Sequence, residues 1–149
     1  MTEQKFHIGI KALITNDKNE ILILKANPAE LVGGGVHWDI PGGRIKQGDS
    51  VEETLRKEVE EELGIDGNDI EIIRQFDASV SNLKIPVGNE IFGLVLFVYL
   101  CKLKEAVEFN LSSEHTEYKW ASVDEAKELL SVKFAKSFVN KLDELKTRF

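Results

Sequence analysis

Three glutamates, Glu58, Glu61 and Glu62, stand at i, i+3 and i+4 in a stretch whose apolar residues recur every four positions. At about 100° per residue they share one side of a helix, with Glu62 at the edge of the apolar stripe. Like charges at this spacing cost about 0.2–0.5 kcal/mol per pair, and more where water is excluded. Arg56 and Lys57 project to other faces. A hard divalent cation bound by oxygen is the better compensation. Upstream, Gly42-Gly43 has no side chain to keep bare backbone away from such a site, and a carbonyl from that turn suits Mg²⁺. Cations held this way neutralise a diphosphate, orient it, and acidify a water for attack on phosphorus.

The elements that must position these groups are legible in outline. Ser50 is an N-cap with Glu53 three residues on, and Gly64 is a C-terminal stop. Between them Val51, Leu55, Val59 and Leu63 predict one apolar stripe. Before the helix, Phe6 to Thr15 and Ile21 to Leu24 flank the turn residues Asn16-Asp17-Lys18-Asn19, which predicts an antiparallel hairpin. Asn27 to Val36, with Pro28 and Gly33-Gly34-Gly35, predicts a loop, and Trp38-Asp39-Ile40 a short extended piece stopped by Pro41-Gly42-Gly43. After it, Ile70 to Phe76, Ile91 to Lys102 and Thr116 to Trp120 predict strands, with a loop over Ala78 to Asn89. Asp124 to Leu130 and Val132 to Lys146 predict two helices, the second with Phe134, Phe138, Leu142 and Leu145 inward. Strands first, with helices in the middle and at the end, imply an α+β fold with a mixed sheet covered by helices.

The 149 residues suit one domain over 1–149, and 42% hydrophobic content supports a packed core. With 19 basic against 26 acidic residues the net charge is −7, which argues against a protein gripping nucleic-acid polymers through their phosphates. A small phosphorylated substrate stays compatible, because a bound cation reverses the local field. The single cysteine, Cys101, excludes an internal disulfide and reads as inert packing. The apolar run Ile91 to Cys101 is too short to span a bilayer, and Met1 to Lys5 lacks the apolar core of a secretory signal, so a cytoplasmic protein without membrane contact is expected. Edge strands of such a sheet could pair two copies into a homodimer.

Residues Gly43 to Ile65, GRIKQGDSVEETLRKEVEEELGI, resemble the Nudix box, G-x5-E-x7-R-E-U-x-E-E-x-G-U with U aliphatic. Gly43, Glu58, Val59, Glu61, Glu62, Gly64 and Ile65 match, while Asp49 replaces the first Glu and Lys57 the Arg. Trp38 to Gly43 resembles the strand and PGG turn that enter the box, and Glu114 to Trp120 the loop and strand closing the site. The resemblance spans about residues 6–130 and implies a MutT-like α/β/α sandwich. It also implies Glu58, Glu61, Glu62 and the Gly43 carbonyl as Mg²⁺ ligands, with Mn²⁺ as a substitute. Glu114 is implied as a further ligand or general base, that second role lying between Glu58, Glu61 and Glu114. Asp49 with Lys57 keeps the signs of the pair that braces the box but loses the bidentate fork.

The activity implied is Mg²⁺-dependent hydrolysis of a diphosphate linkage in a nucleoside diphosphate derivative, a nucleoside triphosphate first among them. A catalytically weak nucleotide-binding or regulatory module is the rival reading. Isomerisation of a prenyl diphosphate is a third, disfavoured by the strand position of Cys101. Beside these, Trp38 and Trp120 read as core or rim aromatics, and His115 as an exposed loop histidine. Lys25, Arg74 and Lys84 read as surface charges, and Gly33 to Gly35 as a surface loop.

Overall fold

The computed structural model describes residues 2–30 and 37–147. Its strands are β1 (Phe6–Thr15), β2 (Ile21–Ala26), β3 (Trp38–Asp39), β4 (Gly42–Arg44), β5 (Ile70–Val80), β6 (Ile85–Val87), β7 (Glu90–Leu103) and β8 (His115–Ala121). Its helices are α1 (Val51–Leu63), α2 (Val123–Leu130) and α3 (Lys136–Lys141), the last continuing as a 3₁₀ turn over Leu142–Thr147. The order across the sheet is β3-β2-β1-β7-β5, with β4 on β1, β6 on β7 and β8 on β2. Among the described residues only the β1–β7 pair is parallel, so the sheet is mixed as expected.

Alternation along the two central strands sorts the core onto both faces. Ile10, Ala12 and Ile14 of β1, with Cys101 of β7, meet Leu55, Val59 and Leu63 of α1. Leu13 of β1 and Leu94, Leu96, Val98 and Leu100 of β7 meet α2, Phe134, Phe138 and Leu142. The result is an α/β/α sandwich. Full burial of Leu55, Val59 and Leu63 contributes about 2 kcal/mol each, which fixes α1 on the sheet.

Both ends of α1 follow the sequence. The Ser50 hydroxyl accepts from the Glu53 N–H at 3.1 Å, and Gly64 closes the helix at φ 68°. The stripe itself differs at Val51, which is 37% exposed, while Thr54 is buried. Four residues advance a helix by about 400°, so a strict four-residue repeat drifts about 40° per step and leaves the packed face by its first member.

The hairpin exists only at its turn. Asn16 accepts through its side chain from the N–H groups of Lys18 and Glu20, and β1 pairs β2 at Thr15 and Ile21. Beyond that point the strands part, and residues 38–44 occupy the fork. Trp38 and Asp39 pair with β2, the Pro41 carbonyl accepts from Ala12 N–H, and Gly42–Arg44 pair with β1. Gly42 has φ +151°, and a Cβ there would lie 2.1 Å from the Ile10 carbonyl oxygen, so only glycine makes this crossing.

Two further expectations are corrected. Ala78 to Asn89 is not one loop: β5 runs on to Val80, and β6 folds back on β7. The last helix does not begin at Val132. Ser81 and Asn82 capture the carbonyls of Ser131, Lys133 and Phe134, which therefore stay out of a helical ladder until Lys136. Pro28–Glu30 forms a 3₁₀ turn in the expected loop, and Gly33-Gly34-Gly35 lies outside the described residues. Among the described residues, no helix is long and apolar enough to cross a membrane.

Candidate functional site

The fork in the sheet places the Gly42-Gly43 turn against the charged side of α1. Glu62 is buried, 3% exposed, and its Oε1 accepts from the Gly42 N–H at 2.7 Å. A Cβ at Gly43 would lie 2.4–2.7 Å from the Glu58 carboxylate, so this residue is glycine because a carboxylate passes over it. Glu58, Glu62, Gly42, Gly43 and Glu114 all line one cleft of about 690 Å³. Glu61 is exposed beside Glu58 and does not line it. Asp49 and Lys57 pair at 3.1 Å on the surface, where such a pair braces the turn but adds little stability.

The carboxylates carry the electrostatic signature of a crowded site. Burial is the main force raising the Glu62 carboxyl, to about 8, with Asp39 and Glu58 adding to it while Lys11 and the Gly42 N–H oppose it. Burial also raises Glu58, reinforced by Glu61 and Glu114.

Four residues that sequence reasoning assigned no site role lie here. Lys11 Nζ and Lys133 Nζ share the Asp39 carboxylate, at 3.1 and 2.5 Å, in a buried chain lining the cleft. Burial opposes the charge on Asp39, but the two ammonium groups outweigh it and hold its carboxyl far below the ordinary range. The signal for Lys11 and Asp39 was present: each is a lone charge inside an apolar strand, which is tolerated only when paired. Nothing local marks Lys133, which reaches the site through the fold alone.

The fourth is His115, whose side chain is 7% exposed and not on the surface as expected. Its segment is pulled inward by Asn27, whose N–H donates to the Glu114 carbonyl and whose amide donates to the Ser113 carbonyl, each at 2.8 Å. Burial lowers the imidazole pKa. One donor atom each from Glu62, Glu114 and His115 lie within 4.8 Å of one another. An oxygen-rich donor set with excess negative charge and bare glycine backbone beside it fits a divalent cation.

The rest of the cleft is chemically divided. Arg44, Lys46 and Lys84 bring positive charge, and Leu83, Ile85, Leu94 and Leu96 form an apolar wall. Lys84 is thereby a cleft residue. Trp38 is partly buried with Lys119 Nζ 4.9 Å from its ring centroid, and Trp120 packs by Phe109, both as core or rim aromatics. Cys101 is wholly buried beneath α1, and burial pushes its thiol up to about 12. It has no access to the cleft chemistry.

The NUDIX domain family matches residues 5–142. The chain is 33% identical over 125 residues to a bis(5'-nucleosyl)-tetraphosphatase [asymmetrical] of Sus scrofa, covering 83% of this chain and 78% of that one. Among solved structures, a MutT protein from Methanosarcina mazei Go1 superposes with TM-score 0.75 at 24% identity, over 99% of this chain and 100% of the other. A C. elegans Ap4A hydrolase superposes with TM-score 0.71 at 21% identity, over 96% and 99%. Those two structures share the fold, and the sequence matches carry the family. The chain belongs to the NUDIX domain family and is a Nudix hydrolase.

Proposed function

We propose that the protein hydrolyses a diphosphate linkage in a nucleotide derivative, using a divalent cation held by Glu58, Glu62, Glu114 and the Gly43 carbonyl, with Glu61 left outside the cleft. The observation that carries this is the convergence of Glu58, Glu62 and Glu114 on one cleft, with the glycine turn against Glu58 and Glu62 and basic side chains in the same lining. When bound, Mg²⁺ or Mn²⁺ neutralises the diphosphate and acidifies a water. The chain's own groups supply the rest. Glu62 is oriented by the Gly42 N–H. Glu58 and Glu114 are the cleft carboxylates that can take the water's proton, and the raised pKa of Glu58 brings its basicity closer to neutral pH. Arg44, Lys46 and Lys84 bind and orient phosphate oxygens.

A nucleoside triphosphate, cleaved to a monophosphate and pyrophosphate, is the first substrate in this reading. A dinucleoside tetraphosphate is the second, favoured by the name of the Sus scrofa relative. Incubating the protein with Mg²⁺ or Mn²⁺ and a panel of both, with products identified by mass, tests the reading. Cation-dependent release of a nucleotide is expected, and Glu58→Gln and Glu62→Gln should lower turnover by about 10²-fold or more without loss of fold. Ligand-dependent thermal stabilisation without any product would instead support the binding module. Normal hydrolysis by both variants would remove the site assignment.

A further inference from the structure

The side chain of His115 is buried, and its Nδ1 has no hydrogen-bond partner among the described residues. Its nearest acidic neighbour among the described residues is Glu62 Oε2 at 3.8 Å, beyond hydrogen-bond range. A buried, unsatisfied ring nitrogen is costly to leave unpaired, so its place beside two carboxylates points to a ligand that would pair it. Two ligand atoms on one ion, each about 2.1 Å from it, stand about 3.0 Å apart when cis and about 4.2 Å apart when trans. The 3.8 Å between Nδ1 and Oε2 falls inside that window, and one donor atom each of Glu62, Glu114 and His115 lie within 4.8 Å of one another. Asn27 fixes the backbone on both sides of Glu114, so the pair Glu114-His115 enters the cleft as a unit.

We propose that Glu62, Glu114 and His115 form a mixed carboxylate–imidazole site that selects a first-row transition cation over Mg²⁺. The proposal rests on the reading of Glu62 and Glu114 as cation ligands and adds the nitrogen donor. Mg²⁺ takes oxygen ligands and sheds water reluctantly, whereas imidazole suits borderline ions. A single nitrogen in an otherwise oxygen set therefore shifts preference without excluding Mg²⁺ from the carboxylates.

Mn²⁺ is the probe. Binding is measured by electron paramagnetic resonance of free Mn²⁺, with Mg²⁺ as competitor, on the whole chain and on His115→Gln. Mn²⁺ should bind at least ~10-fold tighter than Mg²⁺, and the variant should lose about 10-fold in Mn²⁺ affinity with under ~3-fold change for Mg²⁺. Spin-echo modulation of the bound Mn²⁺ should show a coupled ¹⁴N nucleus in the native protein and none in His115→Gln. Because His115→Gln could loosen the site generally, Glu114→Gln serves as the second variant. It should weaken Mn²⁺ binding yet keep the nitrogen coupling at saturating metal. Absence of ¹⁴N coupling in the native protein, or equal losses for both ions in His115→Gln, overturns the proposal. Hydrolysis with Mg²⁺ but no nitrogen coupling overturns this inference alone. Nitrogen-coupled Mn²⁺ without hydrolysis of any diphosphate supports it and overturns the proposed function instead.

Discussion

Replacing Glu62 by Gln should stabilise the metal-free protein while abolishing its chemistry. In the fold the Glu62 carboxyl sits at about 8 against an ordinary 4.5, chiefly because burial disfavours its charge. The unfolded chain at pH 7 holds it ionised, so folding must take up a proton. That costs about 1.4 kcal/mol for each pH unit above 4.5, or about 3 kcal/mol at pH 7. The sign follows from a raised acid: the cost is absent well below pH 4.5, grows with pH, and levels off above about 8. Gln is neutral in both states and keeps an oxygen to accept from the Gly42 N–H, so it removes the cost and leaves the hydrogen bond. Calorimetry in the presence of a chelator should show the variant melting about 6–12 °C above the native protein at pH 7. The gap should shrink to near zero toward pH 4.5 and exceed the neutral value at pH 8.5. With Mg²⁺ or Mn²⁺ added, the native protein should gain stability and the variant should not. A variant that melts at or below the native temperature at pH 7, or a gap that does not grow with pH, refutes the reasoning.

The two adjacent glycines should fail in different ways. Gly43→Ala meets only the end of the Glu58 side chain, so the melting temperature should hold within a few degrees while turnover falls at least ~10-fold. Gly42→Ala meets backbone at 2.1 Å in a conformation open to glycine, and should lose about 3 kcal/mol or more by urea unfolding. Asp39→Asn leaves Lys11 and Lys133 buried around a neutral amide and should cost about 3–5 kcal/mol at pH 7. The stabilisation by Asp39 belongs to a depressed acid, so it is present above the ordinary carboxylate range and lost only in strong acid; acid titration of the native and variant melting temperatures should converge there. Cys101 should resist iodoacetamide in the native protein and react only after denaturation, as judged by mass.

What could be read from the sequence was what is local. The caps at Ser50 and Gly64 and the 3.6-residue periodicity of α1 act over one or two turns, so residue type alone locates the helix and its acidic side. The same holds for the turn at Asn16, where a side chain hydrogen-bonds its own neighbours. The fork between β1 and β2 is not local. It depends on residues 38–44 finding an edge on both strands, and no pattern within Ile21 to Ala26 says that β8 is its long-range partner instead of β1. His115 was misplaced for the same reason: a polar residue in a polar stretch reads as exposed until Asn27, 88 positions away, pulls its segment inward.

The parts that escaped local reading are those that make the carboxylates tolerable. Glu62 and Asp39 are both buried acids, yet one is pushed to about 8 and the other held far below its ordinary value. The difference is the placement of two ammonium groups: Lys11 and Lys133 both close on Asp39, while Glu62 has a backbone N–H at 2.7 Å and Lys11 at longer range. Asp39 is thus satisfied by the fold and works as a permanent counter-ion that keeps two cations at the cleft floor. Glu62 is left short of positive charge, and in the proposed function a bound cation would make up that shortage. A site arranged the other way, with Glu62 paired to a lysine, would be the more stable protein and would have no affinity left for a metal. Removing the charge shortage at Glu62 should therefore raise metal-free stability and weaken Mn²⁺ binding together, and Glu62→Gln, which keeps the Gly42 hydrogen bond, does so. If that variant bound Mn²⁺ as tightly as the native chain, the charge shortage would not be what holds the ion.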